Sequence, residues 1–403
     1  MAPYESDSTT AAEAGGLRAG RHRRRAARYV VPGAVLGVAA ATIGLVPALA
    51  DSGDPDLPEM TAQQLVEKMA ESDVDQLSGT VKITTDLGLP DLGGLESGLL
   101  SGGSHSDGDG SAADPSSKLT ELVTGTHTLR VAADGPDRQK VSLLENAAEY
   151  SLIHDGKDVW GYDSGSNEVY HSTVSDRSGE LTKEDVPATP EDLTAQALKA
   201  VDDTTSVTVD GTAQVAGRDA YRLLIEPKRS GSTVGAISVA VDAETGLPLK
   251  FTLTPSSGGA AVVDAGFTQV SFAKPDAKTF DFTPPKGAKV TEADESGGAA
   301  QAPKRAQKPD EDLAGNLGGL TVLGEGWNSV ATFDTGGEGL PTAGDDGGLG
   351  GFLDSLGSKV SGGFGSGTVF STRLVNALIT DDGKVYVGTV TKEELVKAAD
   401  AAK

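Results

Sequence analysis

Residues 130–172 read RVAADGPDRQKVSLLENAAEYSLIHDGKDVWGYDSGSNEVYHS, and this stretch decides the fold. Large apolar side chains recur at every second position, Val141 and Leu143, Tyr150 and Leu152, Trp160 and Tyr162, which is the period of a half-buried strand. Between the pairs stand AADGPD, HDGKD and YDSGSNE, clusters of Gly, Asp, Asn and Pro that favour tight turns. Links this short cannot carry a parallel crossover, so the expectation is an antiparallel meander. The same alternation runs outward on both sides. Val81 and Ile83, then Leu129 and Val131, precede the stretch; Val207 and Val209, Tyr221 and Leu223, Ile237 to Val241, and Leu249, Phe251 and Leu253 follow it. Between Leu77 and Lys289 the chain therefore predicts about ten short strands.

Two helices flank or interrupt this run. Thr61 followed by Gln64 is a capping-box pattern, with Leu65, Val66 and Met69 on one face. Thr189-Pro190-Glu191-Asp192 supplies an N-cap, a Pro at the first helical position and acids in the first turn, ahead of Leu193, Ala197, Leu198 and Val201. Residues 291–314 carry almost no large apolar side chain and read as a linker. A smaller α+β unit is expected over 315–403: a strand over Gly326–Phe333, a hairpin about Asp381-Asp382-Gly383, and a last helix capped by Thr391 with Glu394 closing another capping box.

The N-terminus predicts export. Residues 1–28 form a basic, cytoplasmic segment ending in Arg18, Arg21, Arg23, Arg24, Arg25 and Arg28, and residues 29–50 carry no charge. Roughly 20 apolar residues can span a bilayer, and upstream Arg keeps the N-terminus inside. Ala48-Leu49-Ala50 suits a signal peptidase, so segment 29–50 is either cut near Ala50 or kept as an anchor. Either way the bulk of the chain is expected on the extracytoplasmic face of the membrane.

Composition narrows the function. The 403 residues contain 34 Lys and Arg against 59 Asp and Glu. A surface so acidic repels phosphate, which speaks against a nucleic-acid partner. Cys is absent, which removes disulfides, thiolate ligands, a Cys nucleophile and a lipidated Cys. His22, His105, His127, His154 and His171 are scattered and match no paired metal-ligand spacing, so no metal and no cofactor are expected. No nucleophile elbow, phosphate loop or dinucleotide fingerprint appears, and no catalytic residue is expected. Gly is abundant, at 53 residues, and much of it falls in two stretches. In the insertion over 87–117, Leu92, Leu95 and Leu99 recur at helical spacing; Leu349, Phe352, Leu353, Leu356 and Val360 do the same further on. Each stretch is either a solvated loop or, as marginal amphipathic turns, a lid over an apolar cavity or a foot on the membrane.

The order of these phrases resembles a known family. LSGTVKITTD (77–86), the stretch quoted above, VAGRDAYRLLIEPK (215–228), ISVAVDAETGLPLKFTL (237–253) and FTQVSFAKPDAKTFDFTPPKGAKV (267–290) together resemble the LolA, LolB and RseB superfamily over about residues 60–290. The resemblance implies an α+β fold: a curved, antiparallel, unclosed β-barrel, a half-barrel, plugged by helices. It also implies an apolar cavity for a lipid or a lipoprotein acyl chain, in a carrier or chaperone without catalysis. The inward positions of such a sheet would be Val81, Ile83, Leu129, Val131, Tyr150, Leu152, Trp160, Tyr162, Tyr221, Leu223, Phe251 and Leu253, with Leu92, Leu95 and Leu99 as lid. The chain lacks the lipobox Cys of the lipid-anchored members. A second small unit after the half-barrel matches the RseB layout, whose implied alternative is a sensor that binds an anti-sigma factor or another membrane protein.

Overall fold

The computed structural model describes residues 54–88, 111–115, 118, 122, 124–173, 189–292, 321–334 and 357–402. The expectations for 1–28 and 29–50, the Leu92, Leu95 and Leu99 lid, the stretch from Leu349 to Leu356 and the linker beyond Glu292 lie outside these residues.

The chain enters through α1 (Ala62–Ala70). Thr61 Oγ1 accepts from the Gln64 amide and the Gln64 side chain accepts from the Thr61 amide, the reciprocal cap expected from the sequence. Five hairpin-linked strands follow β1 (Gln76–Thr85): β2 (Gly125–Asp134), β3 (Arg138–Leu144), β4 (Glu149–Asp155), β5 (Asp158–Asp163) and β6 (Glu168–Thr173). Helix α2 (Pro190–Lys199) carries the same reciprocal cap between Thr189 and Asp192. A second meander then runs through β7 (Thr205–Val215), β8 (Arg218–Pro227), β9 (Val234–Asp242), β10 (Pro248–Pro255) and β11 (Val263–Ser271). Strand β11 pairs with β1, which joins the two meanders into one sheet. With β12 (Lys289–Glu292) the sheet has 12 strands in the order β12-β6-β5-β4-β3-β2-β1-β11-β10-β9-β8-β7.

This is a curved sheet that does not close, since β12 and β7 end it on separate edges. One pairing departs from the antiparallel expectation: β12 runs parallel to β6. The reason is the long return from β11 to the far edge, through a 3-10 turn at Ala277–Thr279, which frees the last strand from hairpin geometry. A register shift between Thr80 and Val81 of β1, opposite Gln269 and Phe267, is a bulge that bends the sheet at its middle.

The second sheet has six strands in the order β13-β14-β18-β17-β16-β15: β13 (Thr321–Leu323), β14 (Val330–Asp334), β15 (Ser358–Gly362), β16 (Gly365–Ser371), β17 (Asn376–Thr380) and β18 (Lys384–Gly388). Helix α3 (Lys392–Ala401) packs Leu395 and Ala399 on it, against Val330, Val369, Leu378 and Tyr386. Two sequence expectations change here. Gly326–Asn328 is a 3-10 turn and the strand begins only at Val330, because Trp327 turns away to donate from Nε1 to Thr205 Oγ1 at 2.8 Å. Thr391 does precede α3 but its side chain makes no cap; its amide is spent on Gly231 O at 2.8 Å.

The two sheets belong to one compact unit. Thr233 donates its amide to Thr389 O at 2.9 Å, Ser232 pairs with Val390, and Arg373 reaches Asp86 Oδ2 at 2.6 Å and the Ala260 carbonyl. Among the described residues no helix is long and apolar enough to cross a membrane.

Candidate functional site

Residues opposite one another in an antiparallel ladder point to the same face, so the register identifies the inner face. Three rows cross β1 to β5. The first is Val81, Leu129, Leu143, Tyr150 and Asp163; the second is Gly79, Val131, Val141, Leu152 and Gly161; the third is Leu77, Ala133, Gln139, His154 and Val159. Polarity rises from the first two rows, which are apolar but for the Tyr150 hydroxyl and Asp163 at one edge, to the third, which carries an amide and an imidazole.

Among the described residues the helices leave most of these rows open. Both lie mainly over the other half of the sheet, where Leu65, Val66 and Met69 of α1 and Leu193, Ala197 and Leu198 of α2 pack on Tyr221, Leu223, Val239 and Phe251, and Leu193 at the boundary also packs on the cluster of these rows. The uncovered half keeps a hollow of about 390 Å³, whose apolar floor includes Leu129, Val131, Val141, Leu143, Leu152 and Val159, with Phe267 and Leu247 at one side. A largely apolar hollow of this size, open on one side, is in the range of small-molecule sites.

One end is closed. Tyr150 donates its hydroxyl to Ala113 O at 3.2 Å, and Gly161 makes room for that carbonyl, since a Cβ there would stand 2.5 Å from it. Lys118 lies between Glu145, at 2.9 Å, and Asp163, at 3.3 Å. Glu168 Oε2 accepts from Ser111 Oγ and from the Ala112 amide. Burial, then the nearby Asp114 and Asp163 carboxylates, push the Tyr150 hydroxyl well above its ordinary pKa, so it stays a donor. Burial would raise Asp163, but hydrogen bonds from the Ser166 and Gly165 amides and from Lys118 outweigh it and keep the carboxyl below its ordinary value. The opposite end, at the Gly135-Pro136 turn beside the third row, is bordered by Asp75, Thr189, Glu191 and Asp192.

Of the positions read from sequence, Leu129, Val131, Tyr150 and Leu152 line this hollow. Val81 and Ile83 are buried in the same cluster behind it. Tyr221, Leu223 and Phe251 are buried in the helix-covered half, and Leu253 packs against them. Trp160 and Tyr162 differ from the expectation and stand on the outer face. They pair with His171 and Val169, Trp160 stacks on the His171 ring at 3.8 Å, and Phe282 covers both at 5.5 and 5.6 Å. The strand was legible there but its facing was not, because the return from β11 makes the outer face apolar too. Leu77, Val141, Leu143, Val159 and Phe267 also line it; Val141 and Leu143 carried the same alternation in the sequence. Among the described residues no cluster of His, Asp and Glu is gathered for a metal.

The fold is a curved, unclosed sheet with helices against its inner face. No protein-family model matches the chain and no curated protein matches it. Solved structures similar to it include a chain of the Pseudomonas aeruginosa MucA/MucB complex, at 17% identity over 84% of this chain and 96% of that one, with a TM-score of 0.35. A LolA superfamily protein from Nitrosomonas europaea is 13% identical over 56% of this chain and 99% of its own, with a TM-score of 0.22. An uncharacterized conserved protein from Thermus thermophilus is 12% identical over 57% and 98%, with a TM-score of 0.31. No residue is carried across from these structures.

Proposed function

We propose that this protein is an extracytoplasmic binding protein that holds the acyl chain of a lipid or lipoprotein in the hollow over β1 to β5, acting as carrier or chaperone. The observation that carries the reading is the position of the hollow. The helices fill one half of the curved sheet and leave the other half with an apolar floor of Leu129, Val131, Val141, Leu143 and Leu152. A methylene moved from water onto such a floor gains about 0.8 kcal/mol, so a chain of several carbons binds without a dedicated polar contact. Export of the chain, anchored by 29–50 or released near Ala50, belongs to the same proposal.

Binding of an environment-sensitive fluorescent fatty acid to the full chain tests it. The expected result is saturable binding that Leu152→Glu, on the floor, weakens at least tenfold, while Lys82→Glu on the exposed outer side of β1 leaves it unchanged. Equal binding by both variants would remove the hollow from the account. A chain that binds no acyl probe but crosslinks stoichiometrically to a membrane protein would favour the RseB-like alternative.

A further inference from the structure

We infer that the hollow takes one acyl chain at a time, tail first toward Tyr150, with the polar head at the Gly135-Pro136 turn, and that its depth limits the buried length to about a dozen carbons. The inference rests on the binding reading above and sharpens it to single-chain amphiphiles.

The direction follows from the two ends. At the first row the space stops: the Tyr150 hydroxyl is bound to Ala113 O, and Lys118 is held between Glu145 and Asp163. Leu122 continues this closure, since Thr85 at the end of β1 donates its hydroxyl to the Leu122 carbonyl at 3.4 Å. A charged or hydrated head driven to that end would have to displace these pairs, whereas a methyl terminus asks nothing of them. At the third row the floor becomes polar. Gln139 and His154 stand opposite each other there, only partly buried, and His154 Nε2 already lies 2.9 Å from the Gly156 carbonyl, inside its own turn. A head group resting at this row meets an amide, an imidazole, solvent and the Asp75, Glu191 and Asp192 carboxylates that border the turn.

The length follows from the strand that forms the floor. Tyr150 and His154 are four residues apart on β4, which at 3.3 Å per residue is about 13 Å. An extended chain advances about 1.2 Å per bond, the value implied by the reach of a fully extended backbone, so about eleven bonds fit. Several chains side by side would need the other half of the sheet, and α1 and α2 fill it.

Titration calorimetry of the full chain with lysophosphatidylcholines of increasing tail length, each below its micelle concentration, tests this. The expected stoichiometry is one, with affinity rising about fourfold per methylene, the equivalent of 0.8 kcal/mol, up to about twelve carbons and levelling beyond. Leu152→Trp, in the middle row, should move the break to shorter tails and leave the shortest tails bound as before. Val141→Phe, opposite it, serves the same purpose if the first variant does not fold. Ala133→Trp at the third row should weaken every tail length alike. A rise that continues unbroken past sixteen carbons, a break unmoved by both middle-row variants, or two lipids per chain would overturn the single-chain assignment while leaving acyl binding intact. Absence of binding at every length would overturn the binding reading itself.

Discussion

Gly161 and Gly79 stand at the two ends of the middle row, and both are required by approach. At Gly161 a Cβ would lie 2.5 Å from Ala113 O, and at Gly79 it would meet Gln269 O at 2.5 Å and the Phe267 ring at 2.9 Å. Neither neighbour at 2.5 Å is a flexible side chain, so the chain must shift. Gly161→Ala should therefore cost about 1–3 kcal/mol, read as a lower melting temperature with loss of protection at the Ala113 end. An unchanged melting temperature would show that the carbonyl is not seated there. On the outer face, His171 Nδ1 lies 2.6 Å from Glu292 and Nε2 2.9 Å from Asp158, with the ring against Trp160. Burial alone would lower its pKa, but the bonds to Asp158 and Glu292 outweigh it and hold the value above the ordinary one. A raised folded-state pKa means that the stabilisation is complete below the unfolded value near 6.5 and fades as pH rises through the folded one. An NMR titration of the His171 ring should give a midpoint above 6.5, and His171→Asn should flatten the pH dependence of stability between neutral and mildly alkaline pH. A midpoint below 6.5 would contradict the clasp.

At the scale of elements, the caps separate what local pattern decides from what the tertiary structure overrides. Thr61 and Thr189 each complete a reciprocal box, whereas Thr391 has the same local pattern but no side-chain cap. Thr61→Ala and Thr189→Ala should each cost about 1 kcal/mol in chemical denaturation, and Thr391→Ala clearly less. Equal losses at all three would mean that the cap geometry does not decide helix stability here. The strands show the same division. Period two made β1 to β5 and β7 to β10 legible, and turn residues fixed their pairing in hairpins. It did not fix which face is inward where both faces are covered, as at Trp160 and Tyr162, nor the parallel edge strand β12, whose partner lies 121 residues away at His171 and Glu168. The bulge at Thr80/Val81 gave no signal either, since the extra residue changes parity only on β11.

At the scale of the whole molecule, the half-barrel was legible because a first helix, a meander and an inserted helix occur in one order. The hollow was only half legible. Apolar positions such as Leu129 and Leu223 look alike in sequence, and only the landing of α1 and α2 decides that the first lines open space and the second is covered. The second sheet is also more closely joined to the first than a linker and a separate domain would suggest. Trp327 and Leu374 pack against the helix-covered core, Trp327 bonds Thr205, and Arg373 holds Asp86. Calorimetry should therefore show both sheets melting in a single transition, and Trp327→Ala should split off or lower the melting of the second sheet. Two transitions in the unaltered chain would contradict this joint packing.

The most direct test of the central claim is native mass spectrometry, with lipid extraction, of the full chain purified from its own cells without denaturation. The account predicts a stoichiometric acyl-bearing species, one per chain, that is absent from Leu152→Glu. A chain that is reproducibly empty, and stays empty when offered single-chain lipids, would contradict it.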